Sequence, residues 1–110
     1  MKILENKKSN VTVIELDGRL DSSTSSLLEE KLLAGLGFGE HNYIIDFAQV
    51  DYISSAGLRV LLMAAKKSKA AGGKVVLSAL VDNVKEVFDI AGFTSIFMLF
   101  VSQEEALTAF

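Results

Sequence analysis

The sequence predicts an α/β protein: a mixed β-sheet of about five strands with about four α-helices packed on it. Three observations carry that expectation. Apolar or β-branched runs alternate with helix-period segments in the order β-β-α-β-α-β-α-β-α. Hydroxyl or acidic residues open the helical segments, and glycines close several of them. Half of the 110 residues are hydrophobic, enough to bury a core and too many for a disordered chain. The expected organisation is one domain over residues 1–110.

Ile3 and Leu4 suggest a short first strand, and Lys7-Lys8-Ser9-Asn10 reads as a turn. Val11 to Leu16 is a β-branched strand ended by Asp17-Gly18, so the two strands suit an antiparallel hairpin. Ser22 to Ser26 is a run of hydroxyl residues. Ser26 with Glu29 fits a capping box, and the helix that follows sets Leu28, Leu32 and Leu36 on one side. Gly35-Leu36-Gly37-Phe38-Gly39 looks like a phosphate-binding loop, but it follows a helix and precedes a strand. That context is wrong for a dinucleotide fingerprint, and the stretch reads as a helix stop.

Tyr43 to Phe47 is nearly continuous in apolar character, as in a strand buried on both faces. A short polar connection follows, then a helix that begins at Ser54 or Ser55 and ends near Ala71-Gly72-Gly73. Lys74 to Ser78 is the next strand. Asp82 caps a short helix with Val84, Val87, Phe88 and Ala91 at helical spacing, ended by Gly92. Ile96 to Phe100 reads as the last strand, and Ser102 with Glu105 opens a terminal helix.

Composition narrows the function. A net charge of −3 argues against a nucleic-acid footprint. With no cysteine and one histidine, disulfides, thiol chemistry and a transition-metal site all lack material. The N-terminus lacks a signal-peptide core, and no apolar run reaches membrane-spanning length, so a cytoplasmic protein is expected. A serine nucleophile needs a base, and His41 reads as a solvated loop residue. Asp46, in a strand, and Asp51, in a loop, read as structural. No enzyme and no cofactor are expected.

Ser54-Ser55-Ala56-Gly57 is the most informative stretch. It places two hydroxyls at the mouth of a helix, where unpaired N–H groups and partial positive charge accommodate an anion. One of them caps the helix, and a cap hydroxyl is also open to modification. Gly57 leaves the hydroxyls uncrowded. Since an interior helix glycine costs roughly 1 kcal/mol relative to alanine, Gly57→Ala is expected to stabilise the fold and Gly57→Val to obstruct Ser55. At 100° per residue, Leu58, Leu61, Leu62 and Ala65 form the face that docks on the sheet. Ala56, Val60 and Met63 lie opposite, flanked by Arg59, Lys66 and Lys67, as an apolar patch rimmed by positive charge. That patch suits a protein partner; scattered surface apolars, or cover by another segment, account for it equally well.

The stretch from Ile44 to Leu58 resembles the phosphorylation-site segment of bacterial anti-sigma factor antagonists. These are single-domain members of the STAS (sulfate transporter and anti-sigma antagonist) family. Gly18-Arg19-Leu20-Asp21, Gly72-Gly73 and Val87-Phe88-Asp89-Ile90-Ala91-Gly92-Phe93 resemble further landmarks of that family, so the likeness covers essentially the whole chain. Alignment on Gly57-Leu58 puts Ser55 at the phosphorylated position, with Ser54 as a lesser candidate. Ser54 stands where the family usually has aspartate, and Ala56 where it has a second hydroxyl residue.

The resemblance implies an antagonist that binds a serine-kinase anti-sigma factor and so releases a sigma factor. Phosphorylation of Ser55 by that kinase, which binds the ATP, would break the complex, and a serine phosphatase would restore it. The implied partner surface takes in Asp21, Ser22, Ser54, Ser55, Ala56, Gly57, Arg59, Val60 and Met63, with no direct contact to nucleic acid or membrane. The alternative is a STAS scaffold or adaptor domain in a signalling assembly, with no switch at Ser55.

Overall fold

The structure, a computed structural model, describes residues 1–110. Five strands form one sheet in the order β1-β2-β3-β4-β5: β1 (Lys2–Lys8), β2 (Val11–Leu20), β3 (Asn42–Ile53), β4 (Lys74–Ser78) and β5 (Leu99–Phe100). The β1–β2 pair is antiparallel and the other three pairs are parallel. The helices are α1 (Ser22–Gly37), α2 (Ser55–Ala70), α3 (Asp82–Ile90) and α4 (Gln103–Leu107), with a single 3₁₀ turn at Phe93–Ser95. The predicted fold class and element order are therefore observed. No helix is long and apolar enough to cross a membrane.

Alternation along the strands sorts the helices onto two faces. Ile14, Ile45 and Leu77 point into the larger core, with Leu28 and Leu32 of α1, Leu61 of α2 and Phe88 of α3. The intervening Val13, Ile44 and Val76 enter a smaller core under Ala106 of α4. Leu28 and Leu32 are fully buried and Leu36 half-buried, as their spacing predicted. Tyr43 lies in the larger core, where Gly35 leaves room for its hydroxyl. Because four successive strands end at the same edge of the sheet, all four helices begin there.

Several boundaries differ from expectation. β1 runs through Lys8, so the hairpin turn is only Ser9-Asn10, with Ser9 at φ +63°. β2 does not stop at Asp17-Gly18; irregular register on either side of those residues carries it on to Leu20. Gly18, at φ +128°, takes the strain of that passage. α1 begins at Ser22 with Asp21 as its cap, and the capping box is Asp21 with Thr24 instead of Ser26 with Glu29. β3 absorbs the presumed polar connection, including Asp51: Val50 and Ile53 are both buried among exposed Gln49, Asp51 and Tyr52, their three-residue spacing taken up by the irregular pairing with β2. Val81, not Asp82, is the N-cap of α3, and no side chain caps it. The last strand is only Leu99–Phe100, since Phe97 turns into an aromatic cluster with Phe88 and Phe93, ring centroids 6.0–6.3 Å apart.

The largest correction concerns α2. Its buried residues are Gly57, Val60, Leu61, Ala64 and Ser68, a stripe at helical spacing. Leu58, Leu62 and Ala65 only flank it, half-buried. Counting hydrophobic side chains missed this, because three of the buried residues are small. Small residues let a helix axis approach the sheet, so closeness instead of side-chain size chose the buried face. Val60 is 6% exposed and belongs to the core, whereas Met63 is half-buried against it. Hence Val60→Asp is expected to unfold the protein as Leu61→Asp does, since an unpaired buried charge is far costlier than the ~1.5–3 kcal/mol that burial of the native side chain contributes. Met63→Asp should remain folded. Thermal melts of the three variants check the order.

Candidate functional site

The site is the edge of the sheet where β2 and β3 give way to α1 and α2. The two strands end in register, with Leu20 beside Ile53. One residue further on, the Ser54 N–H donates to the Leu20 carbonyl at 2.9 Å. That bond sets the mouths of α1 and α2 side by side.

The two mouths are capped by different chemistry. At α1, the Asp21 carboxylate accepts from the N–H groups of Ser23 (3.1 Å) and Thr24 (3.0 Å) and from both their hydroxyls. The Asp21 N–H in turn donates to the Thr24 hydroxyl at 2.9 Å. These bonds, led by the Thr24 N–H, hold the Asp21 carboxyl at about 2, below its ordinary 3.8. At α2 the cap is neutral. Ser54 Oγ accepts from the Gly57 N–H at 3.3 Å, and the Ser54 carbonyl accepts from the Leu58 N–H at 3.0 Å. There is no acidic residue in the first turn of α2. Ser54 is thus the cap and is half-buried. Ser55 is the first residue of the helix and is exposed.

Between the helices runs an open groove of about 430 Å³. Ser22, Ser25, Ser26 and Glu29 line it from α1, and Ala56, Arg59, Val60 and Met63 from α2. Val60 is therefore its buried floor and not an exposed apolar centre, and Met63 and Arg59 form its α2 side. Beside the mouths, the Arg19 guanidinium lies 4.1 Å from the centre of the exposed Tyr52 ring. Asn83 Nδ2 donates to the Asp51 carbonyl at 2.7 Å and ties the start of α3 to β3.

Of the sequence-selected residues, Asp21, Ser22, Ser54, Ser55, Ala56, Arg59 and Met63 come together at this edge. Gly57 does not. It is buried, and a Cβ there would meet Leu20 at 3.0 Å and Ile53 at 2.9 Å. Its missing side chain faces the core, so the argument that it clears access to Ser55 fails. Sequence reasoning also missed Ser25, Ser26 and Glu29 as groove residues. The hydroxyl run was visible, but a helix start placed too late hid which of its members face α2. Asp46 sits elsewhere, on the α4 side, where it and Glu15 both accept from Gln103 Nε2 at 2.6 and 2.7 Å.

The profile of the STAS domain matches residues 2–106, and the chain belongs to the STAS domain family. Within that family, the expected kinship with single-domain anti-sigma factor antagonists is shown by its relatives. BtrV of Bordetella bronchiseptica, assigned as an anti-sigma factor antagonist, is 41% identical over 110 residues, covering 100% of this chain and 95% of BtrV. The crystal structure of TM1081 from Thermotoga maritima, assigned likewise, superposes with a TM-score of 0.93 at 18% identity, covering 97% of this chain and 92% of that one. SpoIIAA, an anti-sigma factor antagonist, superposes in its unphosphorylated form with a TM-score of 0.86 at 22% identity, covering 96% and 93%. At such identities the two superpositions speak for the fold alone.

Two outcomes are expected from this geometry. Gly57→Ala should destabilise by about 1–3 kcal/mol, the usual cost of overpacking a tight core, instead of gaining the helix-propensity term; denaturant titration checks it. The depressed Asp21 carboxyl contributes stability that is complete above its unfolded value near 3.8 and is lost as pH falls toward about 2. Asp21→Asn, which keeps a capping oxygen but cannot titrate, should remove that part of the acid sensitivity in melts run between pH 5 and pH 2.

Proposed function

We propose that this protein is an anti-sigma factor antagonist switched at Ser55. Unmodified, it binds a serine-kinase anti-sigma factor through the α1–α2 edge, which releases the sigma factor. The kinase, holding ATP, phosphorylates Ser55. The Ser55 oxygen bonds to the γ-phosphorus as the bond to ADP breaks, and the hydroxyl proton passes to a base on the kinase. The complex then separates. A serine phosphatase hydrolyses the ester, returning the hydroxyl and free phosphate. On this reading the chain is regulatory and not catalytic, works in the cytoplasm, and needs no cofactor of its own.

The observation that carries this reading is the exposure of Ser55 at the first position of α2, beside a groove shared with α1. Ser54 is occupied as the cap, which leaves Ser55 as the free hydroxyl of the pair. Phosphate adds roughly −1.5 to −2 charge. At a helix N-terminus that charge is tolerated, so modification alters the contact surface and leaves the fold intact. The 41% identity to BtrV over the whole chain supports the same assignment.

Incubation with the cognate kinase and ATP, followed by peptide mapping, should place the phosphate on Ser55. Modification of Ser54, Ser22 or Ser78 with Ser55 untouched would overturn the assignment. Ser55→Glu should weaken binding to the kinase by about tenfold or more, near 1.4 kcal/mol at the lower end, while circular dichroism stays native. Equal binding by both proteins would favour a scaffold domain without a switch.

A further inference from the structure

We propose that Arg59 is the internal counter-charge for a phosphate on Ser55. This rests on the phosphorylation reading above and adds what the modified serine meets. Ser55 and Arg59 are both exposed and stand four residues apart on α2. Residues at that spacing share a helix face, with Cβ atoms about 5–6 Å apart. Helical side chains lean toward the N-terminus, so a side chain as long as that of Arg59 extends back over the turn that carries Ser55.

The guanidinium has no acidic partner within the chain. The salt bridges join Lys7 to Glu40 and Lys31 to Glu5. Glu29 lines the same groove from α1 without pairing to Arg59. The nearby Asp21 carboxylate is engaged by the first turn of α1, and the first turn of α2 holds no acid. An exposed, unpaired positive charge thus stands on the same helix face as Ser55, one turn away.

A phosphate on Ser55 supplies what is missing. It brings acceptor oxygens that suit the forked guanidinium, which donates two parallel N–H bonds where an ammonium offers only a point charge. The phosphate is then drawn back along the helix, and Arg59 is withdrawn from the rim of the groove. The switch removes a cation from the docking surface as well as adding an anion to it.

The test uses the full chain with phosphoserine installed at position 55 by genetic code expansion, so no kinase is involved. Phosphorus NMR follows the second ionisation of the phosphate with pH. Arg59→Gln should raise its midpoint by about half a pKa unit, the size expected of an exposed ion pair. Arg59→Lys should recover part of the shift, and 1 M salt should erase it, because the screening length falls to about 3 Å. Equal midpoints in the native chain and Arg59→Gln would overturn the pairing. Failure of a kinase to modify Ser55 would count against the proposed function and leave this measurement unaffected.

Discussion

The contact between Gly57 and the side chains of Leu20 and Ile53 fixes how closely α2 approaches the sheet, and much else follows from that distance. Because α2 lies low at its first turn, the ends of β2 and β3 pass directly into two adjacent helix mouths. Ser54 is then placed to bond the Leu20 carbonyl with its own N–H and the Gly57 N–H with its hydroxyl. A larger residue at position 57 would lift the helix, lengthen both bonds and widen the groove against α1. One missing methyl group therefore governs core packing, cap geometry and the shape of the surface together. The small residues further along the helix, Ala64 and Ser68, hold the same close approach toward its other end.

The two neighbouring caps divide their tasks by charge. Asp21 is ionised and tied to four donors, so α1 starts from a rigid, already neutralised end. Ser54 is neutral and makes a longer bond, so the positive end of α2 keeps its field. An acidic cap at position 54 would have placed a negative charge next to Ser55. With serine there, the first turn of α2 carries no acid and its unpaired N–H groups keep their positive end toward Ser55.

The strands and helices were legible wherever one residue type dominated a period. Tyr43 to Phe47, Lys74 to Ser78 and the Leu28–Leu32–Leu36 ridge are found where hydrophobic patterning places them. Two of the larger errors share one physical cause: tertiary contacts overrode local signals. The second half of β3 reads as polar because its solvent-facing positions are Gln49, Asp51 and Tyr52, while pairing with an irregular β2 keeps it extended. The face of α2 was misread because Gly57 and Ser68 carry no hydrophobic weight, yet both are buried. Most of the edge around Ser55 was recognisable from the serine pair ahead of a helix. The part contributed by α1 was not, since which hydroxyls of Ser22 to Ser26 face α2 depends on a helix start that Asp21 decides.

The strand order has a consequence for how the chain is made. Each strand lies beside its neighbours in sequence, so no strand needs to be inserted between two others already paired. As the chain leaves the ribosome, the β1–β2 hairpin offers an edge to β3, β3 then offers one to β4, and every addition closes a connection through a single helix. The opposite face is covered by α4, whose Ala106 packs against residues from β2, β3 and β4. Until α4 arrives, one face of the growing sheet stays open to solvent. α4 is therefore the element that seals that face, and a chain cut before it leaves the sheet with one side bare.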